Sequence, residues 1–276
     1  YKSMQKFQPN QEGVKQIFEF IISEYEKNGI DKFKTNGDIS PSVIFLAGAP
    51  GAGKTEFIES IENNHNFIII DIDKYRVLFD GYAGKNASEF QGLSTKVANK
   101  LYSYCIKNNL NVIVDGTFGN ENVVEQNISM CIKHKRDFGV VLIYQDPLLS
   151  YYYTKLREIE GKRNVPKDVF IEKFLNSINN AFEIKKKYTD IFFLFAYKNS
   201  KGLFNINKKI VDKKSFDKKI GINYNKDILD GLIDNLDELF REKLTFRYRI
   251  KFLFKSIIDI LGLKKKEKKK KNNLKN

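Results

Sequence analysis

Residues 43–55 read Val-Ile-Phe-Leu-Ala-Gly-Ala-Pro-Gly-Ala-Gly-Lys-Thr, an apolar run that passes straight into a glycine-rich loop. Gly48, Gly53, Lys54 and Thr55 satisfy the pattern G-x-x-x-x-G-K-[ST], with Gly51 as an additional glycine. Glycines let the backbone of Gly48, Ala49, Pro50, Gly51, Ala52 and Gly53 wrap an anion so that successive N–H groups point inward. A helix starting near Lys54 adds unpaired N–H groups and the positive end of its dipole. Lys54 then supplies a point charge for β- and γ-phosphates, and Thr55 a hydroxyl for Mg²⁺. The loop therefore predicts a nucleoside triphosphate site, and the rest of the chain must say what receives the phosphate.

The pattern around the loop predicts an α/β fold. Apolar runs at 43–47, 67–72, 111–114, 139–144 and 191–197 read as strands. Helical spacing occupies 11–29, 53–63, 88–109, 121–135, 147–160 and 166–187, with Asp146-Pro147 as a cap and first-turn pair. Such alternation implies a five-stranded parallel sheet of P-loop kinase type with helices on both faces. Its site lies beyond the carboxyl ends of the strands. Past residue 200 the alternation stops. Residues 199–224 read as loop or a small hairpin, 227–242 and 245–262 as helices, and 264–271 as a solvated lysine block. The expected organisation is a kinase domain over 1–198, a helical basic extension over 199–263, and a disordered Lys-rich tail over 264–276.

Charge excludes an easy inference. The net charge is +14, but residues 241–276 alone carry +11, leaving only +3 on the preceding 240 residues. A nearly neutral body predicts no specific nucleic-acid partner. The basic stretch from Arg247 onward, with Ile250, Leu253, Phe254, Ile257, Ile258 and Leu261 on one stripe, fits either an anionic membrane surface or a docked helix with a solvated tail. Cys105 and Cys131 lie in apolar helical patterns and read as small buried hydrophobes in a reducing cytoplasm. The expected location is the cytoplasm, with the basic C-terminus as the route to a peripheral place at the membrane. His65 and His134 have no metal-ligand spacing around them.

Strand ends supply the candidate chemistry. Asp71 and Asp73 end the second strand in Ile-Ile-Ile-Asp-Ile-Asp-Lys-Tyr-Arg, and Asp115 ends the third in Val-Ile-Val-Asp-Gly-Thr. A carboxylate there is placed to bind Mg²⁺ through water or to take a proton from an attacking hydroxyl; the alternative is a strand-end Asp capping the next helix. Arg157 and Arg163, at the end of the helix after strand four and on the following Gly-bearing loop, have the placement of a lid that clamps a migrating phosphoryl group. Two solvated arginines are the plainer reading.

Together these segments resemble the zeta toxin family, the kinase halves of bacterial toxin–antitoxin modules, over roughly residues 12–197. The resemblance rests on the Gly48–Thr55 loop, the Asp71–Arg76 segment, the Asp115–Phe118 turn and the 148–166 lid region. It implies transfer of phosphate from ATP or GTP, with Mg²⁺, to the sugar 3′-hydroxyl of UDP-N-acetylglucosamine. It makes Asp73 the base and has Arg76 help hold the substrate. Lys54 and Thr55 would serve the phosphates and metal, and Arg157 and Arg163 the phosphoryl in transit. Asp115, Thr117 and Glu89 would contact the sugar nucleotide, and a small helical antitoxin would occlude the nucleotide site. Where the family turn usually carries Glu, Asp115 is shorter by one methylene. Two other readings stay open at this level: a kinase of a nucleic-acid end or an antibiotic hydroxyl, and a nucleotide-gated binding module.

Overall fold

The computed structural model describes residues 5–35, 42–62, 67–160, 164–198 and 203–242. They fall into two units, one up to Tyr224 and one from Asn225 onward. The expected boundary after residue 198 is thus displaced, because a further strand and helix belong to the first unit.

The first unit is built on a six-stranded sheet of order β2-β3-β1-β4-β5-β6. Its centre is β1 (Val43–Ala47), paired in parallel with β3 (Val112–Asp115) and β4 (Phe138–Tyr144). All seven residues of β4 are buried, as a strand covered on both faces requires. Outside these lie β2 (Ile68–Asp71) and β5 (Phe192–Lys198), both parallel to their neighbours. The sixth strand, β6 (Phe204–Ile206), runs antiparallel to β5.

Helices flank the sheet: α1 (Gln11–Lys27), α2 (Lys54–Glu62), the short α3 (Ile72–Arg76), α4 (Gln91–Lys107), α5 (Glu121–Lys133), α6 (Pro147–Ile159), α7 (Lys167–Lys187) and α8 (Lys213–Ile220). Asp146 caps α6 through Leu148 and Leu149 N–H, and Pro147 occupies its first turn, as the sequence predicts. The second unit contributes α9 (Lys226–Glu242), where Leu229, Ile233 and Leu236 form a buried stripe at helical spacing. The helix expected over 245–262 and the tail over 264–276 lie outside the described residues.

Three elements depart from the sequence reading. The strand expected over 67–72 stops at Asp71, because its side chain accepts the Asp73 N–H and turns the chain into α3. Residues 199–224, read as loop or hairpin, include β6 and α8. The latter opens on a capping box of Asp212 and Ser215 and closes on Gly221 in the left-handed region, φ 74°. Phe216 fastens α8 to the core, its ring centroid 5.4 Å from Tyr144 and 5.5 Å from both Phe182 and Phe195.

Two further groups set the frame of the site. Buried Arg136 donates to the carbonyls of Cys105, Ile106 and Leu110 and to the Ser42 and Thr35 hydroxyls, tying the end of α4 to the entry of β1. Cys105 and Cys131 are buried and burial pushes their thiols up to about 12 and about 11, so both are inert core residues. No described helix is long and apolar enough to cross a membrane.

Candidate active site

Parallel pairing brings the strand-end carboxylates together. Asp71 and Asp115 are register partners on β2 and β3, so their backbones sit about 5 Å apart. Directly after Asp71, α3 places Asp73 and Arg76 three residues apart on one helical face. Arg76 is only 1 % exposed. It donates to Asp73 Oδ1 and to Gln91 Oε1, reaching from α3 to the first residue of α4. Gln91 in turn donates to Thr95 Oγ1 at 3.1 Å. Asp73 itself is open, its side chain 54 % exposed. The arrangement fixes a solvent-reaching carboxylate with a buried guanidinium.

The loop after β1 faces these groups. Gly48 N–H donates to Thr117 O at 3.2 Å, which ties the loop to the turn after β3. Lys54 Nζ donates to Gly48 O at 2.9 Å and Ala49 O at 2.8 Å. Gly51 has φ +76°, and a Cβ there would lie 2.1 Å from Ser150 O, so the close approach of α6 requires glycine. The turn carrying Asp115 and Thr117 is held from its other side by α7. Asn180 Nδ2 donates to Phe118 O at 2.8 Å and Asn176 Nδ2 to Gly119 O at 3.5 Å. Phe118 is a non-glycine residue at φ 58°, a conformation its surroundings must impose.

Between loop, α3 and turn lies a cavity of about 1140 Å³. Its donor wall includes Pro50, Gly51, Gly53, Lys54 and Thr55. Asp71, Asp73 and Arg76 form one side, and Asp115 and Thr117 another. Arg157, in the last turn of α6, also lines it. Of the predicted site residues, Glu89 does not: it is exposed on the turn before α4, and it is Gln91, two residues later, that lines the cavity. Gly48, Ala49 and Ala52 shape the loop without lining the cavity. Arg163 lies outside the described residues. Sequence reasoning missed Gln91, Thr95, Asn99, Asn127 and Lys173, which complete the wall from α4, α5 and α7. They sit on helices whose polar residues carry no local signature of a site.

Burial pushes the Asp115 carboxyl up to about 6; Lys54 opposes the shift and the charges of Asp71 and Asp73 add to it. Asp71 is raised for the same reasons, burial first and then Asp73. Between the unfolded value of 3.8 and about 6, the folded protein binds more protons at Asp115 than the unfolded chain. Folding stability from this group is therefore lost as pH rises through that window, and the cost is fully present above it. Asp115→Asn is expected to stabilise the protein by on the order of 2 kcal/mol at pH 7.5. It should also flatten the fall in stability between about pH 4 and 6, as read from denaturant unfolding across that range. An Asn variant less stable than wild type at pH 7.5 would contradict this account of the carboxylate.

The donor chemistry suits a nucleotide with Mg²⁺. The loop is an anion cradle with a lysine at its rim, and Thr55 with the Asp71, Asp73 and Asp115 carboxylates offers hard oxygen ligands. Among the described residues no group of three or more His, Cys, Asp or Glu side chains forms a metal cage. Thr55, with the phosphates of a bound nucleotide, would hold Mg²⁺ at such a place.

Comparison with known proteins agrees with this geometry. The family model described as Zeta toxin matches residues 27–209. No curated protein sequence matches the chain. Among solved structures, the fold resembles that of the PezAT chromosomal toxin–antitoxin system of Streptococcus pneumoniae. That match has TM-score 0.56 and 16 % identity, and covers 87 % of this chain and 96 % of that one. It also resembles AvrRxo1-ORF1:-ORF2 with ATP, at TM-score 0.52 and 12 % identity, covering 69 % of this chain and 65 % of that one. A structure of AvrRxo1-ORF1:AvrRxo1-ORF2 with sulphate ions gives TM-score 0.53 at 13 % identity, with the same coverage. With a phosphate loop, facing carboxylates and a family match over most of its length, the protein belongs to the zeta toxin family of P-loop kinases.

Proposed function

We propose that the protein is a toxin kinase that transfers the γ-phosphoryl group of ATP or GTP to a hydroxyl of UDP-N-acetylglucosamine or a related sugar nucleotide. The observation that carries this reading is Asp73, an open carboxylate braced by buried Arg76 on the same cavity as Lys54 and Thr55. Asp73 takes the proton of the attacking hydroxyl as its oxygen bonds to the γ-phosphorus and the bridge to the β-phosphate breaks. Lys54 neutralises the phosphates, and Arg157, joined by Arg163 in the role the resemblance implies, neutralises the group in transit. Thr55 would hold Mg²⁺, which would supply further neutralisation of phosphate charge. Asp115 and Thr117 accept from and donate to hydroxyls of the sugar. The cavity volume supports a two-ligand site, since a single drug-sized ligand fills about 300–1,000 Å³.

Acceptor identity separates this reading from a kinase of a nucleic-acid end or of an antibiotic hydroxyl. Incubating the full chain with Mg²⁺, γ-labelled ATP and UDP-N-acetylglucosamine should give a sugar nucleotide heavier by one phosphoryl group in mass spectrometry. ATP binding with no phosphorylated sugar nucleotide would sink the acceptor. A small helical antitoxin is the expected partner, supported by the fold's likeness to the PezAT toxin–antitoxin system.

A further inference from the structure

Lys198 ends β5 against the phosphate-binding loop, on a side of it that the cavity does not reach. A Cβ at Gly53 would lie 2.6 Å from both Cε and Nζ of Lys198, so the ammonium rests against the backbone one residue before Lys54. The side chain is only 14 % exposed. Its ammonium is 3.5 Å from Glu56 Oε1, on a side chain that is 51 % exposed. Phe204 of β6 lies beneath it, 5.3 Å from Nζ to the ring centroid. Glu56 is also close enough to Tyr153 of α6 to add to the rise in its phenol that burial begins.

A mostly buried ammonium needs a strong counter-charge. A half-exposed carboxylate at 3.5 Å is a weak one, screened by the water it still holds. One residue away is a loop shaped for polyphosphate. Lys54 and Thr55 serve the transferred end of that polyphosphate, which leaves the ester end to the opposite side of the loop.

We infer that Lys198 is a ligand of the donor nucleotide, its ammonium moving from Glu56 to the phosphate at the nucleoside end when the loop is filled. The inference rests on the reading that the loop takes a nucleoside triphosphate, and it is independent of the acceptor. Glu56 then competes with the nucleotide for Lys198. Substituting the two partners has opposite consequences. A bridge that merely staples β5 to α2 would instead make both substitutions act in the same direction.

The test is calorimetric binding of MgATP and MgADP to the full chain and to its Lys198→Met, Lys198→Arg and Glu56→Gln variants, with thermal melts of each without nucleotide. Met keeps the apolar stem over Phe204 and removes the charge. Lys198→Met is expected to weaken both nucleotides by about tenfold, and Lys198→Arg to restore most of that loss. Glu56→Gln is expected to bind them as tightly as wild type or several-fold more tightly, although its melting temperature falls. Lys198→Met binding within twofold of wild type, or Glu56→Gln weakened in parallel with it, overturns the inference. A wild-type chain that binds neither nucleotide would instead remove the underlying reading of the loop.

Discussion

Asp73→Asn is expected to lower phosphoryl transfer by about 10²–10⁴-fold, the range a general base contributes. MgATP affinity should stay within about twofold, because the loop and Lys54 supply the binding energy. Asn is the informative replacement. Its Oδ1 still accepts from Arg76, so the bridge from α3 to Gln91 survives while the proton acceptor is gone. Both replacements remove the negative charge beside a guanidinium that is 1 % exposed, but Ala also removes the oxygen that accepts from it. Removing one acceptor from a buried charged donor costs about 1–3 kcal/mol. Loss of activity in Asp73→Ala would therefore mix chemistry with stability. Initial rates with labelled ATP, set beside calorimetric ATP binding, separate the two. An Asn variant that keeps more than a tenth of wild-type transfer would remove Asp73 from the role of base.

The second large effect belongs to Gly51→Ala. The added Cβ would sit 2.1 Å from the backbone oxygen of Ser150, at a φ of +76°. A carbonyl inside a helix turn cannot rotate away, so either the loop or the start of α6 has to move. The strain is expected to destabilise the fold by about 1–3 kcal/mol. Displacing the loop by even about 1 Å is expected to reduce transfer by about 10²-fold. Gly92→Ala is the matched control. It lies in the first turn of α4 with nothing within 4 Å of its Cβ position, and Ala there is expected to be neutral or stabilising by up to about 1 kcal/mol. Thermal melts and transfer rates on the pair read both effects. Equal behaviour of the two variants would show that the contact with Ser150 does not constrain the loop.

What could be read ahead of the structure follows the range of the interactions. Strand, loop and helix around Gly48–Thr55 are local, and so is the Asp146-Pro147 start of α6; both are as the sequence suggests. The Asp71–Asp115 pairing was not legible, since register between strands is set by the whole sheet. Nor was the brace on Asp73. Arg76 and Gln91 are fifteen residues apart, and neither type announces a partner at that distance. Arg76 thus reaches the site through Asp73 as well as along the cavity wall, beyond the substrate-holding role that resemblance implied. The signals for α8 were present in Asp212, Ser215 and Gly221, but the lysine and asparagine content around them reads as loop. One buried aromatic, Phe216, outweighs that composition.

The resting position of Lys54 has a thermodynamic consequence. Its ammonium donates to the carbonyls of Gly48 and Ala49, so a phosphate has to compete with the backbone of the loop for it. An incoming phosphate gains only the difference between Nζ–phosphate and Nζ–carbonyl contacts, less than the full attraction between the charges. A lone inorganic phosphate, with few other contacts to offer, is a poor rival for such a loop. A nucleotide, which engages backbone N–H groups along the whole turn, overcomes the internal competition. A lysine held in this way would favour ligands that fill the loop over those that touch only its rim.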